Sequence, residues 1–165
     1  MDTLTPTRAT EPLRAEHREL LPHIDAIHEV ADAIGHIDDV ATWQRLGGVH
    51  EFLSEHLVPH ARAEEAALYP AVEAAMRAPG ATDTMRRDHV EVLARIEQLR
   101  GELADRDPIT DATAARLRAE LYGLQAILTL HFAKEEEIYL PILDSSLSPI
   151  EATELFRRLE AAASA

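Results

Sequence analysis

Two stretches of this chain repeat one spacing of histidine, glutamate and proline. Each has a histidine, glutamates four and five residues later, and a proline ten residues later: His60, Glu64, Glu65, Pro70 and His131, Glu135, Glu136, Pro141. Residues four apart are neighbours on one face of an α-helix. In both blocks that face also carries aliphatic residues. The repeat therefore predicts two helices that each bury an imidazole together with a carboxylate.

The rest of the chain is also typical of helices. Ala, Leu, Glu and Arg dominate and all favour helix, whereas clusters of β-branched or aromatic residues are too short for a series of strands. Breaks are expected at Gly35, at Pro79-Gly80 and at Asp107-Pro108. We expect four long amphipathic helices over about 10–35, 40–76, 82–104 and 110–144, and a short fifth helix over about 148–163.

Several residues predict how these helices begin and bend. Thr10 and Thr110 are expected to cap the first and fourth helices with their side chains. Ser148 and Glu151 form a capping box for the fifth helix, with a proline between them. Pro59 is expected to kink or split the second helix, and Pro70 to end it early.

Four amphipathic helices with short connections predict an all-α fold, an up-down-up-down four-helix bundle with a short C-terminal fifth helix. We expect a single domain over residues 1–165, with the bundle at about 10–145 and the last helix at about 148–163. A chain of this length can bury a core without cross-links. Because aromatic residues make up only 4% of the chain, that core should be aliphatic.

Composition excludes several classes of function. Sixteen Lys and Arg against thirty Asp and Glu give a net charge of −14, so nucleic acid and anionic membrane surfaces are poor partners. There is no cysteine, which excludes disulfides and thiolate metal sites. Residues 1–12 lack a hydrophobic signal region, and no apolar run is long enough to span a membrane. We expect a cytoplasmic protein, for which a protein partner remains open.

The buried carboxylates of Glu64 and Glu135 need compensation, because no Lys or Arg shares their helix faces. His17 and His89 lie on the apolar faces of the first and third helices. Counting about 1.5 Å per residue places His17 near the height of His60, and His89 within about a turn or two of His131. Four histidines and two glutamates then converge, a set that suits iron or manganese, with zinc also possible. Two carboxylates serving two metal ions suggest bridging.

Other residues near this set have alternative interpretations. His56, one turn before His60, is a possible extra ligand or an outer hydrogen-bond donor. Glu65 and Glu136 lie about 100° around their helices and are expected to face solvent. Tyr69 and Tyr139 either pack in the core or donate to a bridge. Without a metal, the six residues would form buried His–Glu hydrogen bonds.

The ordered pattern His, His-x3-Glu, His, His-x3-Glu resembles the hemerythrin-like, or HHE cation-binding, family over about residues 10–145. The matching segments are EHREL, PHARAEEAALYP, RRDHVEVL and HFAKEEEIYLPIL. The resemblance implies a four-helix bundle with a non-haem di-iron centre. It implies two iron ions rather than manganese or zinc, joined by an oxo or hydroxo group and two carboxylates. The bridging carboxylates would be those of Glu64 and Glu135. One iron would be held by His17 and His60, and the other by His89 and His131.

The chain departs from the oxygen-carrying hemerythrins in two places. Met85 stands where those proteins have the first histidine of a His-x3-His pair on the third helix. On the fourth helix, those proteins have an aspartate five residues after the histidine. Here the inner carboxylate is Glu135, four residues after His131, and the fifth position is Glu136. The chain thus resembles the bacterial class with one histidine fewer. A missing ligand leaves a more open iron, which favours peroxide or nitric oxide chemistry over oxygen storage.

These observations predict a protein that binds or reacts with a small oxidant, namely dioxygen, hydrogen peroxide or nitric oxide, for sensing or detoxification. Catalase-like decomposition of peroxide is the enzymatic variant. One alternative is an iron-binding regulatory or structural module without turnover. Another is a di-iron oxygenase acting on an organic substrate. That activity requires a pocket beside the metals, for which four small residues leave room: Ala67, Ala71, Ala74 and Ala75.

Overall fold

A computed structural model describes residues 8–164 and places four helical rods side by side. The first rod is α1 (Glu11–Ala33) and the third is α5 (Asp83–Asp105). The second rod runs through α2 (Asp39–Phe52), the π-helical turn π1 (Leu53–Leu57), α3 (Val58–Ala63), π2 (Glu64–Leu68) and α4 (Tyr69–Met76). The fourth rod comprises α6 (Asp111–Lys134), π3 (Glu135–Tyr139) and α7 (Leu140–Ser146), and is followed by α8 (Pro149–Ala163). Residues 8–164 contain no strand, so the predicted all-α bundle with a short C-terminal helix is confirmed.

The π-helical turns explain how prolines are tolerated inside the second and fourth rods. Pro59, Pro70 and Pro141 each stand two residues after a π-helical turn ends. A proline has no N–H, and its ring clashes with the carbonyl four residues earlier in a regular helix. The wider turn before each proline relieves that clash, so the rod continues. The expectation that Pro70 ends the second helix is therefore wrong.

Buried apolar side chains form two clusters, one toward each end of the bundle. One end, which we call the apolar end, is closed by the α1–α2 and α5–α6 connections. Its core includes Ile24, Ile34, Leu46, Leu99 and Leu121. The site end carries π2, π3 and α8, and its core includes Leu13, Leu68, Val72, Leu140 and Leu155. The turn π1 buries its two leucines in the cluster of the apolar end. The core is largely aliphatic, as the composition predicts.

Thr10, Thr110 and Ser148 stand at the predicted N-cap positions, but only Thr110 and Ser148 make the side-chain cap hydrogen bond. Thr110 accepts a hydrogen bond from the backbone N–H of Thr113 at 3.1 Å. Ser148 and Glu151 form the reciprocal capping box. The Thr10 side chain does not cap α1; its backbone N–H and its hydroxyl instead both donate to Oδ1 of Asp144 at 2.8 Å. This residue therefore ties the start of the first rod to the end of the fourth.

Candidate metal centre

The six predicted side chains meet between the two apolar clusters. None of them exposes more than 5% of its surface. They form two groups whose nitrogen or oxygen atoms lie within 4.8 Å of one another and could hold a metal ion. The first group is His17, His60, Glu64 and Glu135, and the second is Glu64, His89 and His131.

The two carboxylates lie between the two pairs of histidines. Oε1 of Glu64 is 2.9 Å from Nε2 of His60 and 3.9 Å from Nε2 of His17. Its Oε2 is 3.3 Å from Nε2 of His89 and 3.8 Å from Nε2 of His131. The Glu135 carboxylate has the same arrangement, with Oε2 3.4 Å from His17 and Oε1 3.4 Å from His131. Each carboxylate thus presents one oxygen to each histidine pair.

The outward nitrogen of every histidine is held by a further carboxylate. Nδ1 of His17 is 2.7 Å from Glu136, and Nδ1 of His60 is 2.9 Å from Glu16. On the other side, Nδ1 of His89 is 2.9 Å from Glu65, and Nδ1 of His131 is 3.2 Å from Asp88. Because an ionised carboxylate only accepts hydrogen bonds, each Nδ1 is the donor.

These four hydrogen bonds form a closed ring around the bundle, which we call the carboxylate ring (Glu16, Glu65, Asp88 and Glu136). Each member follows or precedes an inner residue in sequence and reaches the histidine of the next rod: first to second, second to third, third to fourth, and fourth to first. The prediction that Glu65 and Glu136 face solvent holds for Glu65 and only partly for Glu136, and it missed the contact of each with a histidine. Glu136 is 28% exposed and Glu65 44% exposed, but each holds a buried imidazole.

Two members of the ring have a cationic partner. The buried Arg14 forms an ion pair with Glu136, and its Nη2 also donates to Asp144 at 3.0 Å. Lys134 forms an ion pair with Asp88. Among residues 8–164, the cations paired with the ring thus support one histidine of each group, His17 and His131.

The inner atoms of the site lack partners. With hydrogen on Nδ1, every neutral imidazole turns an Nε2 lone pair toward the carboxylates. Five buried side-chain atoms have no hydrogen-bond partner: Nε2 of His17 and of His60, both oxygens of Glu64, and Oε2 of Glu135. Nε2 of His89 and Nε2 of His131 face each other at 3.1 Å. Buried acceptors that converge without a donor are costly, and a cation would satisfy them all.

The same crowding shifts the pKa values of the inner groups. Burial lowers the pKa of His60, but the charge of Glu64 and hydrogen bonds to Glu16 and Glu64 outweigh it and raise the pKa well above its usual range. Burial also lowers the pKa of His131, but the hydrogen bonds to Glu135 and Glu64 and their charges outweigh it and raise the pKa to about 10. Burial and the charge of Glu64 raise the pKa of Glu135. Without a metal the cluster therefore retains protons, which a metal ion would displace.

Comparison with known proteins agrees with this geometry. The family model described as the hemerythrin HHE cation binding domain matches residues 8–143. The chain belongs to this family. Searches of curated proteins and of solved structures give no match. Family membership and the buried His/Glu cluster together identify a candidate metal-binding module.

Tyr69 adds a hydroxyl to the HHE site. It is fully buried and donates to Oε1 of Glu135 at 3.1 Å, while its oxygen lies 3.2 Å from Nε2 of His89 and 3.3 Å from Nε2 of His131. Tyr69 follows Glu64 by five residues, and the wide turn π2 brings these two positions toward one face. Burial and the charges of Glu64 and Glu135 raise its pKa, so the phenol keeps its proton. Tyr139 instead donates to the backbone carbonyl of Ala81 at 3.3 Å.

Other positions that the sequence placed beside the site lie elsewhere. His56 is exposed, with its ring centroid 6.0 Å from that of Phe52, and it belongs to neither ligand group, so its prediction as an extra ligand is wrong. Met85 is fully buried in the apolar cluster of the site end and brings no imidazole. The four small residues that were expected to leave room line neither cavity beside the site: Ala67, Ala71, Ala74 and Ala75.

Two openings adjoin the site instead. An apolar cavity of about 20 Å³ lies beside His60, Glu64, His89 and His131, and is walled by aliphatic residues and Phe132. A wider cleft of about 440 Å³ lies between α1, the second rod and α8. Within residues 8–164, no helix combines the length and apolar character needed to cross a membrane.

Proposed function

We propose that this HHE protein binds two iron ions and uses them to bind or react with a small oxidant: dioxygen, hydrogen peroxide or nitric oxide. The ligands would be His17, His60, His89 and His131, with Glu64 and Glu135 as bridges. The observation that carries the proposal is the set of five buried, unpartnered nitrogen and oxygen atoms between four oriented imidazoles. Imidazole and carboxylate ligands without thiolates suit iron.

The directions of the carboxylate oxygens support the bridging role. Both Glu64 and Glu135 direct one oxygen to each histidine pair, so each can serve two metal ions at once. The carboxylate ring fixes the tautomer and orientation of all four imidazoles and increases their basicity. A bound iron pair supplies two redox-active Lewis acids, which can bind a small oxidant and exchange electrons with it.

The two ligand groups are unequal, which supports a position for the oxidant beside the less complete group. Oε1 of Glu135 reaches His131, but Glu135 lies within 4.8 Å of every other ligand atom only in the group of His17 and His60. That group therefore has four members, and the group of His89 and His131 has three. The less complete position borders the apolar cavity, whose volume of about 20 Å³ holds roughly one water-sized molecule. Its aliphatic walls exclude bulk water, and the size favours a diatomic molecule or peroxide over a larger substrate.

Tyr69 supplies a hydrogen-bond donor near this position. Its hydroxyl faces His89 and His131 and donates to Glu135. The phenol stays protonated at neutral pH because burial and two carboxylates disfavour its charged form. We assign it the role of holding a hydrogen-bond donor at the open position, where an oxidant would gain negative charge.

The test is metal analysis with an optical spectrum of the purified protein, before and after addition of peroxide. We expect about two irons per chain, a near-ultraviolet band typical of a bridged iron pair, and a spectral response to peroxide. Gas evolution would identify catalase-like turnover, and binding without turnover would favour sensing. Zinc alone, or no metal with the helices intact, would overturn the proposal.

A matched pair of variants separates the site from its surroundings. His60→Ala removes a buried imidazole, whereas His56→Ala removes an exposed imidazole on the same rod. We expect the first variant to lose most of its iron and the second to keep it. Equal iron content in both variants would contradict the assigned ligands.

A further inference from the structure

The C-terminal helix builds a feature that the family match does not cover. The match ends at residue 143, and α8 begins at Pro149. Yet α8 packs on α3 and π2, the segments that carry His60 and Glu64. Arg158 of α8 also donates to the backbone carbonyl of Ala66 at 3.3 Å, the carbonyl left free by Pro70 four residues later. This helix is therefore joined to the rod that carries two of the inner site residues.

The cleft of about 440 Å³ opens between α8 and the start of α1. His60 and Glu64 form part of its lining, and each exposes less than 5% of its surface. Nε2 of His60 and both oxygens of Glu64 have no hydrogen-bond partner. Unlike the small apolar cavity, this cleft is large enough for a small organic molecule, and it borders the candidate metal centre.

The lining of the cleft defines what would bind there. Most of the wall is apolar, including Leu13, Phe156 and Leu159. Besides Glu64, two further carboxylates line it, those of Glu16 and Glu160, and the described lining contains no Lys or Arg. Only Oε1 of Glu16 is engaged with His60, and its side chain is 50% exposed. An apolar pocket whose lining has more carboxylates than basic groups selects a cation with an apolar body over an anion.

We propose that this cleft binds a small organic cation with an aromatic or aliphatic body, such as a primary amine, beside the metal centre. This rests on the proposed function only in its location, since α8, Glu16 and Glu160 form the cleft whether or not iron is bound. The apolar body lies against Phe156 and Leu159, and the ammonium group lies near the carboxylates. The net charge of −14 favours approach of a cation.

The test is a calorimetric titration of the full-length protein, incubated with iron beforehand, with three probes of one size: benzylamine, benzyl alcohol and benzoate. At neutral pH they are positive, uncharged and negative. We expect saturable binding of benzylamine, binding of the alcohol weaker by about five- to tenfold, and no binding of benzoate. Equal affinity for the amine and the alcohol, or no binding of the amine, would overturn the proposal.

Variants on α8 locate the binding site. Glu160→Gln should weaken benzylamine binding by about three- to fivefold and leave benzyl alcohol unchanged. Glu154→Gln removes the same charge from an exposed position of α8 outside the cleft lining and should change neither. Ala163→Trp fills the cleft and should abolish binding of both probes. Unchanged benzylamine affinity in both Glu160→Gln and Ala163→Trp would place binding elsewhere and refute the assignment.

Metal analysis on the same samples separates the two proposals. If the protein contains iron but does not bind benzylamine, the proposed cation binding in the cleft is refuted and the proposed oxidant chemistry is not. If the protein binds benzylamine but takes up no iron, the proposed oxidant chemistry is refuted and the proposed cation binding is not. The three α8 variants should keep the iron content of the parent protein, because none of them replaces a metal ligand or a member of the carboxylate ring.

Discussion

The two ends of the bundle are built from the same four rods but differ in what they bury. At the apolar end, regular α-helices bury aliphatic side chains such as Leu46 and Leu121. At the site end, π2 and π3 each precede a proline, and six buried polar side chains adjoin the apolar core. The first end needs only complementary shapes. The second must hold unsatisfied acceptors in place, and its helices depart from regular geometry where it does so. Departures from local rules concentrated at one end mark the functional region.

The largest difference between the ends should appear in metal binding. Glu135→Gln removes one bridging carboxylate charge from the site end. We expect iron to fall from about two per chain to below one, while helicity by circular dichroism is retained. Glu137→Gln, an exposed neighbour in the same π-helical turn, is the control and should keep its iron. Full iron in the first variant would show that Glu135 is not a bridge.

The largest stability effect should come from the apolar end. Leu46 is fully buried, and Leu46→Ala removes packing that its neighbours cannot restore. We expect a loss of about 3–5 kcal/mol in the free energy of unfolding, measured by denaturant titration. Val40→Ala, at a side chain 67% exposed, should change it little. Iron content per folded chain should stay at the parent level in both; a large loss of iron in Leu46→Ala would contradict the separation of the two ends.

An intermediate effect is expected where the site end is clamped together. Arg14 is 7% exposed and joins α1 to Glu136 and Asp144 of the fourth rod. Arg14→Met leaves two partly buried carboxylates without a cation and should lower the free energy of unfolding by about 2–3 kcal/mol. Arg18→Met is the matched control on the same helix, because the Arg18 side chain is 61% exposed. If both variants lose the same stability, the clamp has no special role.

The smallest effect tests a helix start at the apolar end. Thr110→Ala removes the side-chain acceptor that caps α6 and should cost about 1 kcal/mol. Thr129→Ala, at an exposed position inside the same helix, should be neutral or slightly stabilising. Both are read from thermal denaturation, with iron content as a second measurement that neither should change. A neutral Thr110→Ala would mean that water replaces the cap.

The sequence predicted much of this molecule because the apolar end obeys simple helical periodicity. The four rods and the short fifth helix follow from strong helix formers, turn residues and caps such as Thr110 and Ser148. The six inner residues were identified because His-x3-Glu keeps one helix face within regular geometry. The meeting of His17 and His89 with the other rods required only the rise per residue.

The errors arise where the helices are not regular. His56 was placed inward by counting 3.6 residues per turn toward His60, but π1 inserts a wider turn across this interval and moves His56 to the surface. The same kind of turn brings Tyr69 to the site five residues after Glu64. A proline six residues after each inner glutamate was the available signal, because an interior proline requires a local change in helix geometry.

The carboxylate ring was missed for a different reason. Its members lie next to inner residues in sequence, as Glu16 lies beside His17 and Asp88 beside His89, so a helical wheel places them on the flank. Each contacts a histidine on the neighbouring rod rather than one on its own. Periodicity within one helix carries no information about such contacts, which depend on the relative height of two rods.

The carboxylate ring also acts as a lock on register. Every rod gives one hydrogen bond to the ring and receives one, so sliding a single rod by one turn, about 5.4 Å, would break two links at once. The rods are thereby held at the heights that bring the inner nitrogens and oxygens together. The imidazoles lose their rotational freedom when the chain folds, not when a cation arrives. A metal ion would then enter a preorganised site. The rate of metal exchange would depend on local opening of that site rather than on folding of the protein.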